Sequence, residues 1–177
     1  MALRYQLTLE RCDPIAGRSV LDVGCGPGHY SIALAKRGAG KVLGVDFADG
    51  MLEVARNGAT EAGVQDVCKF EKNDFLDSTF DEKFDYVIVM GFMDYIANPR
   101  GLIDKTLSVT GDRAFFSFPV RDGLLGWQRK IRYRSRCELY LYTEKQVRDL
   151  FANSYGKKTS IERIGRDLFV TVDMKRD

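Results

Sequence analysis

The sequence predicts an α/β fold, a doubly wound and Rossmann-like sheet, and three observations support this. Short apolar runs alternate with helical patterns from Ser19 onward, as in repeated βαβ units around a parallel sheet. A glycine-rich turn from Asp22 to Gly28 follows the first apolar run. Thr159 to Ile164 and Leu168 to Val172 flank a short polar turn, so the parallel sheet is expected to finish with one reversed strand.

The first half of the chain predicts three strands and two helices. The strands are short apolar runs, at Ser19 to Val23, Val42 to Val45 and Val67 to Phe70. One helix follows the glycines and stops at Gly38. The other has apolar residues at helical spacing and breaks near Gly63.

The second half predicts a central strand, two helices and a fifth strand before the terminal hairpin. Phe84 to Met90 is the most continuous apolar run, which indicates a strand covered on both faces. Asn98-Pro99 introduces a helix from about Arg100 to Ser108. Ala114 to Phe118 predicts a fifth strand ending at Pro119, and Thr143 is expected to cap a helix over Glu144 to Ala152.

Length and composition favour one domain over residues 1–177, with a short N-terminal segment, 1–17, and a possible insertion at 120–142. The formal net charge of +2 predicts no strong long-range attraction to nucleic acid or to a membrane. No apolar run reaches the roughly 18 residues that a membrane span needs. The first residues show no signal-peptide core, so we expect a cytoplasmic protein.

The four cysteines, Cys12, Cys25, Cys68 and Cys137, are scattered along the chain. They form no CxxC pair and have no metal-ligand spacing. We therefore expect reduced thiols and no metal site.

The glycine turn predicts a nucleotide-like ligand, because glycines let a backbone approach a ligand closely and the helix start offers unpaired N–H groups. A dinucleotide-binding turn reads GxGxxG, whereas His29 stands where its third glycine would be. The carboxylate of Asp22 would repel a pyrophosphate but would hold the ammonium of an amino acid, directly or through water. The turn thus favours a zwitterionic ligand over NAD.

Two more carboxylates follow the second and third predicted strands. Asp46 is placed to accept hydrogen bonds from both ribose hydroxyls. Asp74 is placed to accept from an adenine amino group, with Phe75 over the ring. Taken singly, Asp74 also fits a turn cap and Phe75 a core residue. Together with Asp22, these acids end three successive strands and are expected to face one crevice.

Four stretches, VLDVGCGPGHYSIALAKRGA, GVDFADGMLEVAR, KNDFLD and FDYVIVMGFMDYI, resemble in order and spacing the leading motifs of class I S-adenosylmethionine-dependent methyltransferases. The resemblance implies S-adenosylmethionine as cofactor and a seven-stranded sheet in the order 3-2-1-4-5-7-6 with strand 7 antiparallel. It assigns the methionine and ribose part to the three glycines, the ribose hydroxyls to Asp46, and the adenine to Asp74 and Phe75. The full expected cofactor set is Asp22, Gly24, Cys25, Gly26, Gly28, Tyr30, Asp46, Phe47, Met51, Asp74, Phe75, Met90 and Gly91.

Several members of that set also have structural explanations. Cys25 is expected to be a small packing residue without a catalytic role, and Met51 and Met90 are residues that often fill gaps in a core. Tyr30 fits either the carboxylate end of the cofactor or a contact with the N-terminal segment. No catalytic residue is assigned; His29, Asp94 and Tyr95 are the titratable candidates, and His29 also fits a solvent-facing helix start.

The segment GLLGWQRKIRYRSRCELYLY is the strongest cluster of basic residues, and Trp127, Arg132, Tyr133 and Arg134 are its candidate substrate contacts. Alternating arginines also fit a solvated strand face or, less readily, an RNA surface. The segment locally resembles the magnesium-protoporphyrin and ubiquinone-biosynthesis O-methyltransferases. MGFMDYI replaces the NPPY signature after the fourth strand, which counts against nucleobase and glutamine amide acceptors.

The resemblance therefore implies methyl transfer to a small-molecule acceptor, with O-methylation of a phenol or carboxylate favoured. A non-catalytic S-adenosylmethionine-binding module or subunit, an RNA methyltransferase and an NAD-dependent oxidoreductase are the alternatives. Only about 18 residues precede the first strand, with Tyr5 to Glu10 as the remnant of a covering helix. An open site, a truncated chain, or a protein partner or homodimer covering that side all fit this short N-terminus.

Overall fold

The computed structural model describes residues 2–121, 139–152 and 158–174, and within them the chain forms one mixed sheet of seven strands. The strands, numbered in chain order, are β1 (Ser19–Val23), β2 (Lys41–Asp46), β3 (Cys68–Lys72), β4 (Phe84–Val89), β5 (Thr110–Pro119), β6 (Lys158–Ile164) and β7 (Asp167–Asp173). Their order in the sheet is β3-β2-β1-β4-β5-β7-β6, and β7 runs antiparallel to both β5 and β6. This confirms the predicted fold class, strand order and reversed strand 7.

Five helices flank the sheet in the described residues: α1 (Ala2–Arg11), α2 (His29–Lys36), α3 (Asp49–Glu61), α4 (Pro99–Ser108) and α5 (Glu144–Phe151). Their ends have local causes. Asn98 caps α4 by accepting from the Gly101 N–H, and Thr143 forms a capping box with Gln146 at the start of α5. The helix expected over Tyr5 to Glu10 is present and extends further at both ends.

Two apolar cores lie on opposite faces of the sheet. One contains Leu34 of α2 and Leu52 of α3, while the other contains Leu102 of α4 and Val147 of α5. β4 supplies side chains to both cores, because its residues alternate between the two faces. This burial on both sides explains the continuous apolar run that predicted a central strand.

Two strands, β5 and β3, differ from the predicted bounds by more than one residue at an end. β5 begins at Thr110, four residues before the expected Ala114, because its polar first residues extend the pairing with β4. β3 lies one residue later at its start and two at its end than Val67 to Phe70. Its outer residues are exposed, as befits an edge strand, so an apolar pattern does not mark them.

The register of β1 and β2 positions the glycine turn. Val23 pairs with Val45 at the carboxyl ends of these parallel strands. The N–H groups of Gly24 and Cys25 then both donate to the Val45 carbonyl, at 2.9 and 3.1 Å. The turn is thus held against the end of β2, where Asp46 stands.

The predicted insertion at 120–142 is described only at its ends. Val120 and Tyr142 form a bridge that brings these ends together. Trp127, Arg132, Tyr133 and Arg134 lie outside the described residues, so their assignment as substrate contacts stays a prediction.

Candidate functional site

A cavity of about 340 Å³ opens at the carboxyl edge of β1 and β2. Its residues come from three places: the ends of those two strands, the loop after β3, and the segment after β4. The lining residues are Val23, Gly24, Val45, Asp46, Phe47, Asn73, Asp74, Phe75, Leu76, Phe92, Tyr95 and Ile96. Five members of the predicted cofactor set, Gly24, Asp46, Phe47, Asp74 and Phe75, therefore meet around one volume, where parallel sheets bind their ligands.

The carboxylate of Asp46 is fixed by two backbone amides. Its Oδ2 accepts from the Gly26 N–H and its Oδ1 from the Ala48 N–H, both at 2.9 Å. A carboxylate has about four acceptor positions, so both oxygens retain capacity for further donors. A rigid, largely buried carboxylate with spare lone pairs fits a pair of neighbouring hydroxyl groups.

Gly24 is required by its backbone and by its surroundings. Its φ of +67° lies in the left-handed region, and a Cβ there would stand 2.5 Å from the ring of Phe92. Gly26 also has a positive φ, but a Cβ there would have no atom within 4 Å. The turn thus keeps open space beside Gly26 while Gly24 packs under Phe92.

The other residues of the turn face the protein interior or the solvent. A Cβ on Gly28 would lie 3.0 Å from Ala55 and from the ring of Phe70, so this glycine allows α2 to pack closely. Cys25 is buried, and burial raises the pKa of its thiol and leaves it neutral. His29 is exposed at the start of α2.

Asp22 is buried behind the turn and is absent from the cavity lining. Its side chain accepts a hydrogen bond of 2.7 Å from the Ser31 hydroxyl on α2. Burial raises the pKa of Asp22 to about 6, although the bond from Ser31 opposes that shift. The predicted contact with a ligand's ammonium group stays a prediction.

The loop after β3 forms a second side of the cavity. Asp74 accepts from the Leu76 N–H at 3.0 Å, so it stabilises a turn while also lining the cavity. Phe75 lines the cavity, and its ring centroid lies 5.8 Å from that of Phe80. It is therefore both a core residue and a residue that can contact a ligand, the two roles considered for it from the sequence. Phe47 is 71% exposed at the rim, whereas Met51 is exposed on α3 and does not line the cavity.

The end of β4 lies beneath α1. Met90 is buried, and the N–H of Gly91 donates to the Ser117 hydroxyl at 2.9 Å. A Cβ on Gly91 would be 3.7 Å from Nη2 of Arg4, whose Nη1 pairs with Asp167 at 2.8 Å. The Nε of Arg4 is buried and has no hydrogen-bond partner among the described residues. The largely buried side chain of Arg4 thus lies over the end of β4.

The remaining candidates are divided between α1 and the cavity. Tyr30 packs on Tyr5 of α1 with the ring centroids 5.1 Å apart, the second of the two positions predicted for it. Asp94 is buried, and Tyr95 is half exposed and lines the cavity. Both belong to a 3₁₀ turn, Met93–Tyr95, which the sequence did not predict.

Six residues that line the cavity were not in the predicted set: Val23, Val45, Asn73, Leu76, Phe92 and Ile96. Phe92 and Ile96 lie within the MGFMDYI stretch, and their apolar type gives no sign that they face a cavity. Arg4 reaches Ser117 and Asp167 from the far end of the chain, at sequence separations of 113 and 163 residues. No local sequence pattern predicts a contact between residues so far apart in the chain.

A family model described as a methyltransferase domain matches residues 16–118, which is more than half of the chain. The chain belongs to the class I S-adenosylmethionine-dependent methyltransferase family. The matched residues run from just before β1 to the end of β5. They include every residue that lines the cavity and the whole glycine turn.

Curated relatives of this methyltransferase-family chain include two ubiquinone biosynthesis O-methyltransferases. The protein of Pasteurella multocida is 34% identical over 110 residues, which cover 57% of this chain and 45% of that protein. The protein of Actinobacillus pleuropneumoniae is 35% identical over 121 residues, which cover 65% and 51% respectively. The chain thus spans about half the length of the curated relatives it matches.

Solved structures agree on the fold. Magnesium protoporphyrin IX methyltransferase from Synechocystis PCC 6803 with bound SAH aligns with a TM-score of 0.77 at 22% identity, covering 98% of this chain and 84% of that one. A putative methyltransferase in complex with the Trm112 activator of Haloferax volcanii aligns with a TM-score of 0.80 at 17% identity, covering 97% and 88%.

Neither a membrane-spanning helix nor a cluster of metal ligands is present among the described residues. None of their helices combines the length and apolar character that crossing a bilayer requires. In the same ranges, no group of three or more histidine, cysteine, aspartate or glutamate residues is placed to hold a metal ion.

Proposed function

We propose that this chain catalyses S-adenosylmethionine-dependent methyl transfer to a small-molecule acceptor, with a phenol or carboxylate oxygen as the methylated atom. The observation that carries the proposal is the fixed carboxylate of Asp46, which meets the glycine turn and the cavity in one place. A nucleoside needs this combination of an acceptor pair for its ribose and an apolar space for its base.

The residues present fit the cofactor of this family. Asp46 retains lone pairs for ribose hydroxyls, and the rings of Phe47, Phe75 and Phe92 border the space for the adenine. The open side of the turn at Gly26 leaves room for the amino acid part. These features support the cofactor-binding set assigned from the sequence.

Arg4 adds a residue to that set. Its Nη2 lies 3.7 Å from where a Cβ on Gly91 would stand, at the end of β4, while its Nη1 pairs with Asp167. A carboxylate is the group that an arginine binds best. We assign Arg4 to the carboxylate of the cofactor's methionine part.

Bound S-adenosylmethionine supplies an activated methyl group. The chain itself mainly aligns the acceptor with the methyl group and excludes water. Displacement at the methyl carbon of a sulfonium needs little help from acids or bases. Of the three titratable candidates, Tyr95 contacts the cavity, Asp94 is buried behind it, and His29 is exposed on α2. Of these three candidates, Tyr95 is therefore the one that lines the cavity, and we assign no catalytic residue.

The names of the relatives support an oxygen acceptor. The curated relatives are named ubiquinone biosynthesis O-methyltransferases. Trp127, Arg132, Tyr133 and Arg134 remain the proposed acceptor contacts. A protein partner or a second copy covering the α1 side, and a cytoplasmic location, remain predictions from the sequence.

A methyl-transfer assay tests this function. The intact chain is incubated with S-adenosylmethionine and, separately, catechols, aromatic carboxylates or RNA, and S-adenosylhomocysteine is quantified. We expect turnover with a phenol or carboxylate and a higher acceptor KM after charge reversal at Arg132 and Arg134. Cofactor binding without turnover on any acceptor would favour the binding-module alternative, and turnover on RNA alone would favour an RNA methyltransferase.

A further inference from the structure

One part of the cavity wall comes from a short segment after β4. Tyr95 and Ile96 line the cavity from the 3₁₀ turn and the residue after it. Within the segment, the Tyr95 N–H donates to the Phe92 carbonyl at 3.1 Å and the Ile96 N–H to the Met93 carbonyl at 3.5 Å. The second bond is at the limit of hydrogen-bond length, and a single 3₁₀ turn is weakly held on its own.

Tyr142, which lies just before α5, also holds this segment. Its hydroxyl lies 3.2 Å from the Met93 carbonyl and 3.4 Å from the Ile96 carbonyl, so one proton is shared between the two acceptors. Burial raises the pKa of Tyr142 to about 12, which keeps the hydroxyl protonated and able to donate. The neighbouring Tyr140 N–H donates to the Asp94 carbonyl at 2.8 Å.

Tyr142 is itself held firmly. Its N–H donates to the Pro119 carbonyl, and its carbonyl accepts from the Arg121 N–H, both at 2.9 Å. Its ring packs edge-on against Phe118 with the centroids 5.1 Å apart. The next residue, Thr143, caps α5. The hydroxyl is thus carried by a side chain anchored to β5 and α5.

We propose that Tyr142 is a positioning residue whose hydroxyl sets the wall formed by Tyr95 and Ile96, and through it the affinity of the cavity for the nucleoside. The proposal rests on the proposed function for the identity of the ligand. Tyr142 also links that wall to the residues on either side of positions 122–138, because its carbonyl accepts from the Arg121 N–H.

The test is Tyr142→Phe, with Tyr86→Phe as the matched control. Tyr86 is a buried tyrosine whose hydroxyl also donates to a backbone carbonyl, that of Pro14 at 3.0 Å, on the α1 side of the sheet. Both variants therefore lose one buried phenol hydrogen bond and keep the ring. Two quantities are measured in each: amide hydrogen exchange of the peptide over residues 92–97, and the Kd for S-adenosylhomocysteine by calorimetry.

In Tyr142→Phe we expect exchange at residues 92–97 to accelerate about threefold to tenfold and the Kd to rise by a similar factor, as for one neutral hydrogen bond. In Tyr86→Phe both should stay within about twofold of the wild type, since distant sites act independently. Unchanged exchange in Tyr142→Phe overturns the proposal, and so does faster exchange with an unchanged Kd. If wild-type protein binds no S-adenosylhomocysteine, the proposed function fails, while the exchange measurement still decides whether Tyr142 holds the wall.

Discussion

The two halves of the sheet's carboxyl edge are held together by different kinds of contact. Over β1 to β3, the glycine turn and its acid are joined by a bond between residues 20 positions apart, Gly26 and Asp46. Over β4 and β5, the corresponding bonds join Gly91 to Ser117, Met93 to Tyr142 and Ser117 to Arg4, at separations of 26, 49 and 113 positions. We call the half over β1 to β3, which holds the proposed ribose acceptor Asp46, the nucleoside side; it is thus built locally, whereas the β4–β5 side is built by tertiary contacts.

This difference has a consequence for function. A locally built nucleoside side depends on few distant residues, so its geometry tolerates change elsewhere in the chain. The β4–β5 side is fixed by α1, by the end of β5 and by the residues before α5. We therefore expect cofactor affinity to respond most to changes in the turn, and less to changes in these distant supports.

The strongest way to break the nucleoside side is Gly24→Ala. The added methyl would meet Phe92 and the left-handed backbone would be strained, so the Kd for S-adenosylhomocysteine should rise about 10- to 100-fold, or roughly 1.4 to 2.8 kcal/mol. Gly63→Ala is the control, because its φ of +68° imposes the same strain while no atom lies within 4 Å. Calorimetry showing equal affinity in both variants would contradict the role of Gly24.

Asp22 allows a test of the buried support under the turn. Its pKa is raised from 3.8 to about 6 in the folded chain, so the folded chain binds this proton more tightly than the unfolded one. Its ionisation therefore lowers stability as the pH rises from about 4 to about 6. From pH 4 to pH 7, the wild type should lose up to about 3 kcal/mol relative to Asp22→Asn, which does not titrate.

Urea unfolding at a series of pH values measures this difference. Asp85→Asn is the comparison in which the pKa in the folded chain is shifted in the opposite direction. Burial alone would raise the pKa of Asp85, but hydrogen bonds from Ser19 and Arg18 outweigh it and lower the pKa. The wild type should gain stability relative to Asp85→Asn as the pH rises through the acidic range. A flat difference for Asp22→Asn would show that Asp22 is not buried as described.

Asp46→Ala tests the bond that joins the turn to β2. It should weaken binding of S-adenosylhomocysteine by about 1 to 3 kcal/mol, because the ribose hydroxyls would lose their acceptor and Gly26 its partner. Asp85→Ala is the control, since this carboxylate also accepts a backbone N–H, that of Ser19, but at the opposite edge of the sheet. The control should lose stability and keep its affinity; equal affinity of Asp46→Ala and wild type would remove the ribose assignment.

Of these variants, Arg4→Gln should change the affinity for S-adenosylhomocysteine least. It tests whether a residue of the β4–β5 side contacts the cofactor. We expect the Kd for S-adenosylhomocysteine to rise about threefold to tenfold, for one lost charge-assisted hydrogen bond, and the Kd for 5′-methylthioadenosine to stay unchanged. Arg11→Gln removes a second arginine of α1, one that pairs with Glu162 away from the cavity. Equal losses for both ligands, or for both variants, would place Arg4 outside the ligand site.

The sequence was informative where the structure is local. β1 and the turn follow from a short apolar run, glycines and acids that are close in sequence, and they lie where predicted. The strand order came from the family resemblance. The polar start of β5 was missed, because pairing with β4 rather than residue type makes it a strand.

Only some residues of the site were predicted, because sequence patterns report local structure and not tertiary contacts. Asp46 and Asp74 were placed at the cavity because Asp46 ends β2 and Asp74 lies two residues after β3. Phe92 and Ile96 were missed, since an apolar residue after a strand looks like core until its tertiary neighbours are known. Asp22 shows the reverse, because its position at the strand end did not reveal that Ser31 of α2 covers it.

The central claim is that the turn and Asp46 together bind an adenosyl amino acid, and calorimetric titration of the intact chain with S-adenosylhomocysteine tests it most directly. We predict saturable binding at one molecule per chain, weakened in Asp46→Ala and competed by S-adenosylmethionine. Absence of binding, or equal binding of NADH at the same site, would contradict the account.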